Sequence, residues 1–451
     1  MKDPIAQYLA RHAEPETADA ERLAGSFGHA LVIPAYGERE SLFNLLGSVP
    51  GGPRGPVLII LVLNARADSP PAVHEANEEV RRRLERELPA AAGSPAELPA
   101  RAYSIRAGGT LLLVDRALTD RYLPEGQGVG LARKIGNDLV LALRAGGRVA
   151  SPWIHNTDAD TILPNDYFEQ TAVLDHDGTG AAIYSFEHRF DPDPAQAEAA
   201  RLYEISLRYN VLGLAWAGSP YAYHSMGSCL AIPAQAYAEV RGFPKRNALE
   251  DFHALNKLAK VGRILRLAGQ PLLLEGRISE RVPISTGKAI AGLVSRRGAL
   301  TGFRLYHPAV YAHLAAWLRV LAAIARSGGN ATEAITELPS DNPFFRTDVL
   351  RETLDHMGAF PAIQDAIARS SDEETLLRHL HTWFDALKTV QLLHALRDGG
   401  LPSVGYLQAL AEAPFTGLTA STEEDTEALL LQLIAEERAL AATPAGVGLS
   451  S

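Results

Sequence analysis

Short apolar runs alternate with stretches of helical periodicity over the first two thirds of the chain. Residues 57–63 (VLIILVL) are uninterrupted, and other runs lie in HALVIPAY, GGTLLLVDR, VASPWIHNT, AAIYSFEHRF, GSCLAIP and PLLLEGRIS. Apolar runs of this length predict strands buried on both faces. Helical spacing between them, as in SPPAVHEANEEVRRRLEREL and VGLARKIGNDLVLALRAG, predicts an α/β fold whose mostly parallel sheet is flanked by helices.

The strand pattern stops after about Tyr306. The segments VYAHLAAWLRVLAAIARSGG, RTDVLRETLDHMG and EDTEALLLQLIAEERALAA all have helical spacing, which predicts an all-α C-terminal region. The predicted organisation is a helical N-terminal extension over residues 1–28, an α/β domain over 29–306 and a helical domain over 307–451. The C-terminal helices are candidates for homo-oligomer formation.

Composition narrows the class of protein. The net charge of −10 over 451 residues argues against nucleic acid as a partner. One cysteine, Cys229, rules out an internal disulfide and favours a reducing cytoplasm. The N-terminus has no apolar signal-peptide core, and the longest aliphatic run is too short to cross a bilayer. We therefore expect a cytoplasmic protein without a transmembrane segment, which leaves peripheral membrane contact open.

Polar residues follow the predicted strands, and open α/β sheets bind ligands at the carboxyl ends of their strands. The residues at those ends are Pro34, Ala35, Tyr36, Glu38, Asn64, Asp158, Asp160, Glu250 and Asp251. Aspartate oxygens suit hard divalent ions such as Mg²⁺ or Mn²⁺, which neutralise a diphosphate. The alternative for the segment NTDADT is a solvated turn or a helix cap.

Four segments follow one another along the chain: LVIPAYGERESL, GVGLARKIGNDLVLAL, NTDADTILPNDYF and MGSCLAIPAQAYAEVRGFPKRNALEDFHALNKL. In this order they resemble the motifs of family 2-type glycosyltransferases, which have the nucleotide-sugar-binding GT-A fold. The resemblance covers about Ala30 to Pro283. It implies metal-dependent transfer of a sugar from a UDP- or GDP-sugar to a hydroxyl acceptor, with inversion, and Mg²⁺ or Mn²⁺ as the cofactor.

The resemblance also implies roles for the acidic residues. Asp160 would bind the metal, and Asp158 would contact the ribose or a metal-bound water. Asp251 would be the general base that takes the acceptor proton, while Glu250 orients the acceptor or the sugar. The alternative for Glu250 and Asp251 is an acidic first helical turn favoured by the helix dipole.

The remaining candidates surround the donor. Arg133 would meet the diphosphate or the base, its alternative being a surface arginine on an amphipathic helix. The resemblance places nucleotide contacts at Pro34, Ala35, Tyr36, Glu38 and Asn64, and places Gly227 and Ser228 below the donor sugar. His253, two residues after Asp251, is a candidate third metal ligand or acceptor contact, its alternative being a structural histidine.

Departures from the family pattern keep other functions open. Asn64 stands where the family usually has an acid, and Gly37 and Lys134 replace the usual asparagines. No Q-x-x-R-W motif of processive members is present, which favours single transfer. A retaining GT-A enzyme of the glycerate or phosphoglycerate type stays open. A sugar-nucleotide nucleotidyltransferase would need a glycine-rich loop that PAYGERES lacks, and a non-catalytic nucleotide-sugar-binding protein is the third alternative.

Overall fold

The computed structural model describes residues 3–91, 100–276, 278, 286–295, 302–327, 344–418 and 425–441. Pro283, where the family resemblance ends, lies outside these residues. The strands are β1 (His29–Ala35), β2 (Val57–Asn64), β3 (Ala100–Ser104), β4 (Thr110–Arg116), β5 (Trp153–Asn156), β6 (Thr161–Ile162), β7 (Thr179–Ile183), β8 (Phe186–Phe190), β9 (Leu230–Pro233), β10 (Arg263–Arg266), β11 (Leu272–Gly276), β12 (Arg304–Leu305) and β13 (Val404–Gly405).

The described helices are α1 (Pro4–Arg11), α2 (Glu40–Ser48), α3 (Pro71–Glu87), α4 (Val129–Ala145), α5 (Glu169–Ala172), α6 (Pro194–Trp216), α7 (Ala234–Glu239), α8 (Glu250–Leu258), α9 (Thr286–Ser295), α10 (Ala309–Ser327), α11 (Thr347–His356), α12 (Ala359–Arg369), α13 (Glu373–Trp383), α14 (Ala386–Asp398), α15 (Tyr406–Glu412) and α16 (Thr426–Ala441). Three 3₁₀ segments cover Pro15–Arg22, Arg106–Gly108 and Gly227–Cys229.

Eight strands form the central sheet in the order β10-β7-β9-β5-β1-β2-β4-β3. β1 pairs in parallel with β2 and β5, and β2 pairs in parallel with β4. Every residue of β1 and β2 is buried, as expected for strands with helices on both faces. The carboxyl ends of these four strands therefore lie along one edge of the sheet.

The predicted α/β architecture is confirmed, but the sheet is mixed. β3 runs antiparallel to β4, and β9 runs antiparallel to β5 and β7. AAIYSFEHRF forms two strands, of which β7 joins the central sheet and β8 joins a small sheet with β6 and β11. The short strands β3 and β10 at the two sheet edges have no uninterrupted apolar run, so periodicity did not reveal them.

Two glycines allow helix α4 to sit close to its neighbours. A Cβ at Gly136 would lie 2.3 Å from Cγ1 of Val32 on β1. A Cβ at Gly130, in the first turn, would lie 2.3 Å from the carbonyl oxygen of Pro244. Neither position has room for a side chain, so the helix approaches β1 directly. This close packing places the side chains of α4 at the edge of the sheet.

The chain divides into two compact units, and their boundaries differ from the predicted domains. The first comprises residues 1–189 and 225–288, and the second comprises 190–224 and 289–451. The N-terminal residues belong to the first unit, where α1 packs on α4 and α7. Helix α6 belongs to the second unit because its buried face packs on α10 and α16.

The second unit is helical, as its periodicity predicts. Its core includes Trp317, Tyr311, Phe384 and Tyr209, all almost fully buried. Helix α10 is long and apolar enough to span a membrane, and no other helix among the described residues is. However, 72% of that stretch is buried inside the protein, as in the core helix of a folded domain, so its hydropathy is weak support for a membrane span.

Candidate functional site

The D-x-D segment forms a closed turn directly after β5. The backbone N–H of Thr157 donates to the carbonyl oxygen of Val32 on β1 (3.1 Å), which continues the strand pairing. The N–H of Thr161 then donates to the carbonyl oxygen of Asp158 (3.3 Å). Asp158 and Asp160 are both half-buried. The turn thus presents two carboxylates at the predicted edge of the sheet.

Arg133 is buried in helix α4, and the alternative of a surface arginine is wrong. Its side chain is 2% exposed. Nε donates to Oε1 of Glu250 (3.0 Å), and Nη2 donates to Oδ1 of Asp158. One guanidinium therefore joins the D-x-D turn to the acidic start of α8. Burial lowers the pKa of Arg133, but the nearby carboxylates outweigh it and raise that pKa above its usual value.

Two polar atoms beside this ion pair have no hydrogen-bond partner in the described part of the chain. They are Nη1 of Arg133 and Oγ1 of Thr157, and both are buried. A buried polar atom without a partner costs about 1–3 kcal/mol. An arginine donor left in this position can satisfy a ligand oxygen or an ordered water.

Helix α8 begins with a strained residue followed by two acids. Leu249, which precedes the helix, has φ +60°, and its side chain is 44% exposed. Non-glycine residues held in this region cost about 1–3 kcal/mol and cluster at functional sites. Glu250 is buried, and Asp251 follows it in the same turn. Favourable interaction with the helix dipole applies to both acids but does not account for the burial of Glu250.

The carboxylate of Asp251 is held by two backbone groups. The N–H of Gly227 donates to Oδ2 (2.9 Å), and the N–H of Phe252 donates to Oδ1 (2.7 Å). Burial and the neighbouring Glu250 raise the pKa of Asp251 to about 7, although Arg133 acts in the opposite direction. A carboxylate that titrates near neutral pH matches the requirements of a general base.

Gly227 and Ser228 occupy a 3₁₀ turn against Arg133. A Cβ at Gly227 would lie 2.3 Å from Nη2 and 2.6 Å from Cζ of Arg133, so only glycine fits here without displacing the guanidinium. Ser228 is buried, and its Oγ lies 3.6 Å from Sγ of Cys229. Cys229 itself is a buried thiol.

Asn64 links the ends of β1 and β2. Its Nδ2 donates to the carbonyl oxygens of Ala35 (2.8 Å) and Val62 (3.2 Å). Pro34 and Ala35 are fully enclosed in the sheet. At this strand end, Asn64 therefore stabilises the scaffold through its amide nitrogen.

Tyr36 and Glu38 lie on the loop after β1. The hydroxyl of Tyr36, which is half-buried, donates to Oγ of Ser69 (3.2 Å). Oε2 of Glu38 accepts a hydrogen bond from Oγ of Ser41 (2.6 Å) in the first turn of α2. This hydrogen bond joins the loop to the start of the helix.

The structure does not bring Asp158, Asp160 and His253 together as a preformed three-ligand group. Among the described residues, the one group of three acidic or histidine ligand atoms lying within 4.8 Å of one another is Asp175-His176-Asp177. These three residues are exposed and follow α5. The ring of His253 instead lies 5.5 Å from the ring of Phe252.

An asparagine pair below the site was missed by sequence reasoning. Nδ2 of Asn137 donates to Oδ1 of Asn156 (2.7 Å), and Nδ2 of Asn156 donates to Oδ1 of Asn137 (3.2 Å). Asn137 also donates to the carbonyl oxygen of Arg133 (2.8 Å). The available signal was spacing, because Asn137 lies four residues after Arg133 and Asn156 directly precedes the D-x-D turn.

No protein-family model matches the chain, and no curated protein sequence does. The solved structures that are similar to it include the following two. One is S. aureus TarS 1–349 in complex with UDP-GlcNAc, 12% identical over 83% of this chain and 92% of that chain, with a TM-score of 0.38. The other is the mannosyltransferase PcManGT from Pyrobaculum calidifontis in complex with GDP-Man and Mn²⁺, 18% identical over 88% and 95%, with a TM-score of 0.33. Likenesses this distant add no weight to any role assigned to a residue.

Proposed function

We propose that this chain is a metal-dependent glycosyltransferase that moves a sugar from a nucleotide-diphosphate donor to a hydroxyl acceptor. The observation that supports this most is the arrangement around Arg133. Its buried guanidinium links Asp158 of the D-x-D turn to Glu250, and Asp251 follows Glu250 with a pKa of about 7. The order of motifs along the chain adds to this support.

Asp251 is the proposed general base. Its two oxygens accept backbone hydrogen bonds from Gly227 and Phe252, which hold the carboxylate in one orientation. A carboxylate has about four lone-pair positions, so capacity remains for an acceptor hydroxyl. The hydroxyl proton passes to Asp251 as the hydroxyl oxygen bonds to the anomeric carbon, while the bond from that carbon to the diphosphate oxygen breaks.

Attack opposite the leaving diphosphate inverts the anomeric centre, and a single in-line step needs one base. Glu250 is paired with Arg133 and is therefore unsuited to proton transfer. Asp251, whose pKa is raised, is thus the carboxylate suited to act as the base, which favours inversion over retention.

The donor set fits a hard divalent ion. Mg²⁺ and related ions are commonly bound by one or two carboxylates, with substrate phosphates and waters completing the shell. Asp160 would hold the ion, with Asp158 contributing through the oxygen that Arg133 does not bind. When bound, Mg²⁺ or Mn²⁺ neutralises the diphosphate.

The sequence predicts that Arg133 meets the diphosphate or the base. Two of its three nitrogens already bind Glu250 and Asp158. We assign to it the orientation of both acids, which leaves only Nη1 for a direct ligand contact.

Calorimetry with UDP and GDP, with and without Mn²⁺, tests this function. We expect nucleotide binding that strengthens with Mn²⁺ in the wild type and loses that dependence in Asp160→Asn. Asp177→Asn is the matched control, because Asp177 belongs to the exposed acidic group after α5. Metal dependence lost in Asp177→Asn and retained in Asp160→Asn would refute the proposed metal site.

Transfer is then measured as nucleoside diphosphate release from UDP- and GDP-sugars in the presence of a cell extract. Asp251→Asn should abolish release while retaining nucleotide binding, because the base is removed but the donor site is not. The anomeric configuration of the product distinguishes inversion from retention. Release that persists in Asp251→Asn would contradict the assigned base.

A further inference from the structure

Helix α4 has two pairs of polar residues at a spacing of four, one pair directly beside the other. Arg133 and Asn137 meet the D-x-D turn and the end of β5, as described above. Lys134 and Asp138 meet the N-terminal residues. Residues four apart lie on one face of a helix, so adjacent faces of α4 contact the site and the N-terminal segment.

The second pair forms a closed hydrogen-bond network with α1. Nζ of Lys134 donates to the Tyr8 hydroxyl (2.6 Å), the carbonyl oxygen of His12 (2.7 Å) and Oδ2 of Asp138 (2.7 Å), which uses all three of its donors. The Tyr8 hydroxyl in turn donates to Oδ1 of Asp138 (2.6 Å). The Tyr237 hydroxyl donates to the same oxygen (2.7 Å).

This network is buried and charged. Tyr8 is 1% exposed, Lys134 5% and Asp138 0%. Burial and the Asp138 carboxylate raise the pKa of Tyr8, so its hydroxyl stays a neutral donor. A buried ion pair commonly adds little net stability over apolar residues of the same volume, whereas its directional bonds define position. Apolar packing of α1 on α4 would also hold the N-terminal segment in place. It would define the position of α4 less closely than these directional hydrogen bonds do.

We propose that residues 3–22 are a positioning element of the site, in which Tyr8, Lys134 and Asp138 set the position of α4 and thereby of Arg133. Tyr8, Lys134 and Asp138 bind one another and not the acids of the site, so they are positioning residues and not catalytic ones. The transfer assay that tests this proposal rests on the proposed function. The hydrogen-exchange measurement does not depend on that function.

The test compares full-length Tyr8→Phe with Tyr221→Phe. Each substitution removes one buried hydroxyl that donates a hydrogen bond. The Tyr8 hydroxyl donates to Asp138, and the Tyr221 hydroxyl, in the second unit, donates to the carbonyl oxygen of His381. Tyr8→Phe should lower overall stability more than Tyr221→Phe, because its hydroxyl is bonded to two charged groups, and urea unfolding measures both losses. Hydrogen exchange on peptides spanning residues 225–230 reports on Gly227, whose N–H binds Asp251.

We expect this segment to exchange about ten-fold faster in Tyr8→Phe and at the wild-type rate in Tyr221→Phe. In the transfer assay, kcat should fall in Tyr8→Phe while KM for the donor changes less than about two-fold. Equal exchange rates at residues 225–230 in the two variants, or no change in Tyr8→Phe, would overturn the proposal.

Lys134→Arg gives a second test if Tyr8→Phe is too unstable to measure. Arginine retains the charge, but its planar donors cannot converge on three acceptors as an ammonium does. The same increase in exchange at residues 225–230 is expected, and wild-type exchange would count against the proposal. If the wild type turns over no nucleotide-sugar donor, the proposed function fails. The exchange result still shows whether residues 3–22 position α4.

Discussion

The substitution Gly227→Ala tests whether Arg133 is held in a single position. A Cβ at Gly227 would lie 2.3 Å from Nη2, 2.6 Å from Cζ and 2.8 Å from Nε of Arg133. The backbone of Gly227 is not in the left-handed region, so alanine introduces no backbone strain. The whole cost must come from displacing the guanidinium.

The magnitude follows from how Arg133 is bound. Its side chain is 2% exposed and is tied to Glu250 and Asp158, so it cannot move into solvent. Overpacking a close contact costs about 1–3 kcal/mol, and weakening one hydrogen bond to a charged group costs about 1.5–3 kcal/mol. Because the displaced guanidinium retains part of its bonding, we expect a loss of about 2–4 kcal/mol in the free energy of unfolding.

Urea unfolding with Gly47→Ala as the matched control measures this effect. Gly47 lies in helix α2, and a Cβ there would have nothing within 4 Å. Alanine should stabilise that helix by about 0.5–1 kcal/mol. The double variant Gly227→Ala/Arg133→Gln should lose less than the sum of its parts, because the shorter side chain leaves room for the new methyl group.

If Gly227→Ala is within about 0.5 kcal/mol of the wild type, the guanidinium moves freely and the reasoning is refuted. Strict additivity in the double variant would equally show that Gly227 and Arg133 do not constrain each other. Either result would also remove the basis for assigning to Arg133 the orientation of Asp158 and Glu250.

Three further predictions concern ionisation. The folded-state pKa of Asp251 is raised from 3.8 to about 7, so its ionisation should lower stability as pH rises through this window. The Asp251→Asn variant has no carboxylate to ionise here, so its stability should not fall in this way. Relative to the wild type, its free energy of unfolding, measured with urea, should therefore be higher at pH 8 than at pH 5. Arg133→Gln leaves Glu250 beside Asp251 without its cation, which should cost about 3–5 kcal/mol in unfolding free energy. It should also move the acid limb of the transfer rate to higher pH, and an unmoved limb would exclude Arg133 as a determinant of that pKa. In the second unit, burial raises the pKa of Glu437, but His224 and Arg208 outweigh it and bring that pKa to about 2. This stabilisation is present above pH 4.5 and is lost towards pH 2, so the difference in melting temperature between wild type and Glu437→Gln should shrink over that range.

Several elements of the fold and site were predictable from local patterns. β1, β2 and β4 contain continuous apolar runs, and such runs form buried strands regardless of their partners. Asp158 and Asp160 follow β5 directly, and parallel strands place their carboxyl ends on one edge. The acidic first turn of α8 was also predictable, because acidic residues favour the first turn of a helix.

The partners of buried charges were not predictable, since they come from distant parts of the chain. Arg133 is 117 residues from Glu250, and Tyr8 is 130 residues from Asp138. An arginine on an amphipathic helix has the same local pattern whether it faces solvent or the core. Only packing determines which of these holds.

The sequence by itself determined the apolar strands of the sheet, the helical character of the C-terminal region and the type of residue at the ends of those strands, because these depend on neighbours within about one turn or strand. Tertiary structure decided that α6 belongs to the second unit, that the N-terminal segment packs on α4, and that Asp251 titrates near neutral pH. Each of these depends on burial and on charges brought together across the fold.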